Sequence, residues 1–142
     1  MKRESPRFIG ESVKHREAEE LLALAQEFLS YTAGACEREE WRVAIDEGYN
    51  AAELAVKGLI LLAGEDLART QGGLGGQFGR LYGEAGKTPR EWGRELHRAQ
   101  QLRTAARYRY AAILSADDAR RVVALAEQLI RTLQNELAAR AS

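Results

Sequence analysis

Apolar residues along this chain recur three and four positions apart, the repeat that lays a single stripe along an α-helix, and no segment alternates as a strand would. From about Lys14 to Ala33 the stripe is Ala18, Leu21, Leu22, Ala25, Phe28 and Leu29, with Gly34 as the expected stop. From about Arg38 to Ala63 it is Trp41, Ile45, Tyr49, Ala52, Val56, Leu59 and Ala63, and Gly64 closes the helix. Gly48, Ala52 and Ala55 lie along the middle of that face, small enough to let another helix come close. After a turn, Leu74, Phe78, Leu81 and Tyr82 mark a short helix, weakened by glycines that each cost about 1 kcal/mol relative to alanine. The stretch "TPRE" predicts a fourth helix, with Thr88 as cap, Pro89 in the first helical position and Glu91 completing a capping box. That helix is expected to run to about Ala112. "SADD" predicts a fifth, with Ser115 and Asp118 as the box and Val122, Leu125, Ala126, Leu129, Ile130, Leu133 and Leu137 as the stripe.

The predicted fold is all-α, an antiparallel four- to five-helix bundle of up-and-down topology with short connections. Residues 1–12 hold too few large apolar side chains to pack as a unit and are expected as a flexible N-terminal arm; residues 13–142 are expected as one helical-bundle domain. A domain of this length buries roughly 70% of the surface its unfolded chain exposes, enough to fold without staples. Lysine plus arginine equals aspartate plus glutamate, 21 against 21, so overall charge points to neither nucleic acid nor membrane. The single cysteine, Cys36, excludes an internal disulfide and a cysteine-built metal cluster, and reads as a small packed thiol. The longest apolar run, "LILLA", falls far short of the roughly 20 residues that span a bilayer. The opening "MKRESPRFIG" lacks the apolar segment of a secretion signal. The expectation is a cytoplasmic protein with no cofactor and no metal site.

Local charge tells more. Residues 87–110 carry seven basic residues (Lys87, Arg90, Arg94, Arg98, Arg103, Arg107, Arg109) and two acids (Glu91, Glu95), a net +5 in a neutral chain. Arg90, Arg94 and Arg98 step by four along the solvent side, either as a solvated face or as a stripe for phosphates, with Tyr108 able to stack on a base. Arg103 differs, because at 100° per residue it falls among Trp92, Leu96, Ala99, Ala106 and Tyr110. Such an arginine either pairs with an acid from another helix or joins Arg107 and Tyr110 in lining a cleft for an anion. Arg90 and His97, two turns apart, would suit a phosphate clamp beside a base, although chance suffices in so arginine-rich a helix. His15 and His97, the only histidines, lack metal-ligand spacing. "GGLGG" matches neither the Rossmann nor the P-loop spacing and reads as a flexible helix entry.

"DEGYNAAELAVKGLILLAG", "TQGGLGGQFGRLYGEAG", "LRTAARYRY" and "LSADDARRVVALAEQLI" together, in this order, resemble the HEPN family (higher eukaryotes and prokaryotes nucleotide-binding) over about residues 16–138, especially small prokaryotic members paired with a minimal nucleotidyltransferase. Nuclease members of that family carry on the fourth helix an Arg, four to six residues, then a His, often with a Tyr one residue later, and act on RNA without metal. In this chain Arg103 matches the arginine, Tyr110 matches the tyrosine, and Tyr108 stands at the histidine position. With a reference pKa of about 10, tyrosine is a poor general base near neutral pH. Gln71 likewise follows Thr70 where the family places histidine.

The resemblance implies a homodimer that binds RNA or a nucleotide and acts with a nucleotidyltransferase in a toxin-antitoxin type module, without an intact nuclease motif. Arg103, Arg107, Tyr108 and Tyr110 would make the contacts, and Tyr110 is the residue a partner would adenylylate. Two alternatives stay open. One is a metal-independent ribonuclease toxin using Arg103 with Tyr108, or Arg90 with His97; the other is a non-catalytic interaction bundle whose Arg103 only pairs with an acid.

Overall fold

A computed structural model describes the backbone of residues 6–141 and the side chains of residues 10–140. Within them lie five α-helices and no strand: α1 (Pro6–Glu37), α2 (Trp41–Leu62), α3 (Gln71–Phe78), α4 (Glu91–Tyr108) and α5 (Ala116–Ala141), with a π-helical turn, Gly79–Gly83, continuing α3. The protein is the all-α bundle that the periodicity predicts. α2 is its centre, since α1, α3, α4 and α5 all pack against it. The reason is in its sequence: Ala44, Ile45, Gly48, Tyr49, Ala51, Ala52, Ala55, Val56 and Gly58 are all buried, and a helix apolar on most sides must be surrounded.

α1 and α4 run antiparallel to α2, with Lys14 near Gly64 and Tyr49 near Arg103, whereas α5 runs in the same direction as α2, Gly48 meeting Val122 and Gly58 meeting Leu133. Glycines let this pair meet. A Cβ at Gly48 would lie 3.1 Å from Val122 Cγ1, and one at Gly58 would lie 2.7 Å from Leu133 Cδ2. The α5 stripe of Val122, Leu125, Ala126, Leu129, Ile130, Leu133 and Leu137 is buried throughout. Its start is the expected capping box, with Asp118 N–H donating to Ser115 Oγ and Ser115 N–H to Asp118 Oδ2, both at 3.1 Å.

Other boundaries differ from expectation. α1 begins at Pro6, so residues 6–12 of the stretch expected as an arm are helical, and residues 1–5 lie outside the described residues. Gly34 does not stop α1. The chain turns at Glu39, whose φ of 56° supplies the left-handed residue, while Glu39 N–H and Glu40 N–H donate to the carbonyls of Cys36 and Ala35. The Thr88 box does not form: α4 starts at Glu91, Thr88 N–H turns back to the Tyr82 carbonyl, and buried Thr88 Oγ1 has no hydrogen-bond partner. The glycines expected as a flexible entry form α3 itself, capped by Thr70 Oγ1, which accepts from Gly73 N–H at 3.0 Å. α4 ends at Tyr108 rather than Ala112.

Tyr82 anchors the π turn. Its ring stacks on Phe78 at 5.8 Å and its hydroxyl donates to the Leu59 carbonyl at 2.6 Å. Burial, with Glu136 nearby, pushes its hydroxyl pKa up to about 12. The folded protein therefore keeps this proton when the unfolded chain, at about 10, has lost it, and the associated stability is present below about pH 10 and falls towards pH 12. Denaturant titrations across about pH 9 to 12 should show a shallower decline in Tyr82→Phe than in wild type. Equal slopes would mean that Tyr82 does not carry the alkaline sensitivity.

Candidate anion-binding edge on helices α2 and α4

α4 is the least embedded long helix, with only Leu96 and Ala99 buried along its length. It lies antiparallel on α2, and polar contacts with that helix hold its C-terminal half. Asp46 of α2 stands opposite Arg103 and Arg107, one turn apart on α4. Arg107 Nε donates to Asp46 Oδ1 at 2.5 Å and Arg107 Nη2 to Oδ2 at 3.2 Å, a two-point grip on one carboxylate. The Asp46 carboxylate raises the Arg107 pKa further above its already high range, so the guanidinium is charged at every working pH.

Arg103 Nε sits 3.4 Å from the same Asp46 Oδ1, an ion pair without a hydrogen bond, and this buried N–H has no other partner. Its guanidinium carbon lies 5.5 Å from the ring centre of Tyr49, a cation over an aromatic face. Tyr49 is itself buried, and burial together with a hydrogen bond to Glu53 raises its hydroxyl pKa. Next to Asp46, Glu47 has a buried Oε2 with no hydrogen-bond partner, and burial raises its pKa too.

Arg42, not singled out by the sequence, organises the end of α4. Its Nη1 donates to the carbonyls of Ala105 and Ala106, and its Nη2 to those of Arg109, Tyr110 and Ala112, at 2.7 to 3.2 Å. These carbonyls include ones the helix leaves unpaired at its C-terminus, where the macrodipole also favours a cation. One guanidinium thus ends the helix and fixes the chain that follows. On that fixed chain the large side chains face solvent: Tyr108 is 73% exposed, Tyr110 96% and Ile113 95%.

The four candidate residues are therefore not one cluster. Arg103 and Arg107 meet at Asp46, and Tyr108 follows at the rim. Tyr110 leaves the face because α4 has ended, so within one chain it does not line a cleft with Arg103 and Arg107. Arg90, Arg94 and His97 are exposed, and Arg98 pairs with Asp118 of α5 at 3.4 Å. His97 borders a cavity of about 220 Å³ between α3 and α4 with Gln71, Gly75 and Gln100. Among the described residues no group of histidine, cysteine or acidic side chains is placed to hold a metal ion, and no helix is long and apolar enough to cross a membrane.

A comparison with curated proteins gives no match. The model of the HEPN domain matches residues 16–137, from within α1 to near the end of α5. This bundle, with a basic fourth helix gripping a carboxylate of the second, belongs to the HEPN domain family.

Proposed function

We propose that this HEPN protein binds RNA or a nucleotide at the edge formed by Arg103, Arg107 and Tyr108 and does not cleave it. The observation that carries this reading is the arrangement of Arg107, a partly exposed guanidinium, beside Tyr108, a mostly exposed ring at the end of the same helix. The guanidinium suits a phosphate and the ring suits a base. Cleavage would need a group that takes a proton near neutral pH, and tyrosine at the position of the family's histidine is a poor one.

In this reading the protein works in the cytoplasm as a homodimer, with a minimal nucleotidyltransferase as its partner in a toxin-antitoxin type module. The near-complete exposure of Tyr110 suits access by such a partner, which would adenylylate its hydroxyl. The ion pair of Arg103 with Asp46 favours one second reading, an interaction bundle in which Arg103 is a structural anchor alone.

Fluorescence anisotropy with a labelled single-stranded oligoribonucleotide separates the two. Binding that weakens with salt, and drops about tenfold in Arg107→Ala and in Tyr108→Ala with the fold intact, supports the edge. If Arg103→Ala and Arg107→Ala lower the melting temperature and leave RNA affinity unchanged, the structural reading replaces it.

A further inference from the structure

Arg103 and Arg107 already hold an anion that belongs to the protein. Asp46 Oδ1 is shared between Arg107 Nε at 2.5 Å and Arg103 Nε at 3.4 Å, and Oδ2 takes Arg107 Nη2. A carboxylate gripped this way receives the contacts that a phosphate oxygen pair would receive. It is also insufficient for Arg103, since the buried Arg103 Nε has no hydrogen bond even with Glu47 standing beside Asp46 near Arg107. A buried guanidinium N–H without an acceptor is costly, and a second anionic oxygen would remove that cost. Approach is open from the Arg107 side, whose side chain is 40% exposed, whereas Asp46 and Arg103 are about half as exposed.

We propose that Asp46 is an internal competitor for the RNA phosphate, a carboxylate that occupies the Arg103–Arg107 anion site and must yield part of its grip when a phosphodiester enters. The proposal rests on the RNA-binding reading of this edge and adds the ligand chemistry. A phosphodiester and a carboxylate each carry one negative charge, so exchanging one for the other gains little by itself. Affinity must then come from neighbouring phosphates and stacked bases, and the site selects a polyvalent strand over a mononucleotide. Asp46 is a selectivity residue in this scheme, and its removal should strengthen binding. A purely structural salt bridge predicts the opposite or no change.

The test compares wild type, Asp46→Asn, Arg107→Ala and the double variant, titrated with the labelled oligoribonucleotide and with AMP over a range of salt. In Asp46→Asn the RNA affinity should rise about fivefold, the scale expected on releasing a partly exposed ion pair. The slope of log K against log salt should steepen by about 0.7, one further phosphate neutralised on a single strand. AMP should gain proportionally more than RNA, and the double variant should lose the gain. If wild type binds RNA through Arg107 and Asp46→Asn binds equally or more weakly, the competitor role is overturned while the RNA reading stands. If neither wild type nor Asp46→Asn binds RNA, the RNA reading itself falls. Should Asp46→Asn be too unstable to assay, the Arg107 Nε–H resonance of wild type serves instead: a shift on saturation with RNA supports displacement of Asp46, and an unchanged resonance overturns it.

Discussion

Replacing Arg42 by alanine should lower the stability of this protein by about 2–3 kcal/mol and its melting temperature by roughly 5–10 °C. The guanidinium donates to five carbonyl oxygens of residues 105–112. Hydrogen bonds from a charged donor contribute about 1.5–3 kcal/mol each when counted alone. They do not add here, because water can take over the exposed carbonyls of Arg109 and Tyr110 once the side chain is gone. The part-buried bonds to Ala105, Ala106 and Ala112 set the cost. Lysine offers three donors from one nitrogen and cannot span both groups of carbonyls, so Arg42→Lys should recover only part of the loss. Amide hydrogen exchange is the second readout: protection should fall in residues 105–112 first and stay high in α2 and α5. A melting temperature within about 1 °C of wild type would show that α4 ends without help from Arg42.

Gly58→Leu should cost about 3 kcal/mol or more, and the reason is the close contact between α2 and α5. Even a Cβ there would lie 2.7 and 3.1 Å from the two methyl groups of Leu133, a side chain with no exposed surface. Rotating Leu133 exchanges one close methyl for the other, so a leucine at position 58 forces the helices apart. Gly75 is the control. Nothing lies within 4 Å of a Cβ built there, and alanine inside α3 should stabilise by up to about 1 kcal/mol. Chemical denaturation of both variants checks the pair, and similar effects at the two positions would contradict close packing at Gly58.

How much of this was legible in the sequence varies by element, for physical reasons. The bundle and the α5 stripe follow from periodicity, and the Ser115–Asp118 box forms because Asp118 keeps one oxygen for Ser115 N–H while the other meets Arg98. Gly34 does not end α1, because a glycine is tolerated inside a helix whose neighbours pack, while a glutamate at position 39 accepts a left-handed backbone. The "TPRE" box failed because Tyr82 draws Thr88 N–H back to the π turn. The end of α4 had no local sign at all. "RYRYAA" contains no breaker, and the cap comes from Arg42 on another helix.

The candidate site divides in the same way. Helical spacing placed Arg103 inward and allowed an acid from another helix as its partner, and the structure supplies Asp46. It could not identify that acid, nor show that Arg107 shares it, because both facts depend on the register of α4 against α2. Tyr110 falls on the inward face only if α4 continues past it, and the helix ends at Tyr108, where Arg42 takes the carbonyls that follow.

The most direct measurement is RNA binding and RNA cleavage by the same purified protein, with metal chelated, at low and high salt, for wild type and Arg103→Ala. The expected result for wild type is binding that weakens as salt rises, with the RNA left intact. Cleavage that persists in chelator and disappears in Arg103→Ala would contradict it, and would make the Arg103–Tyr108 pair a nuclease centre.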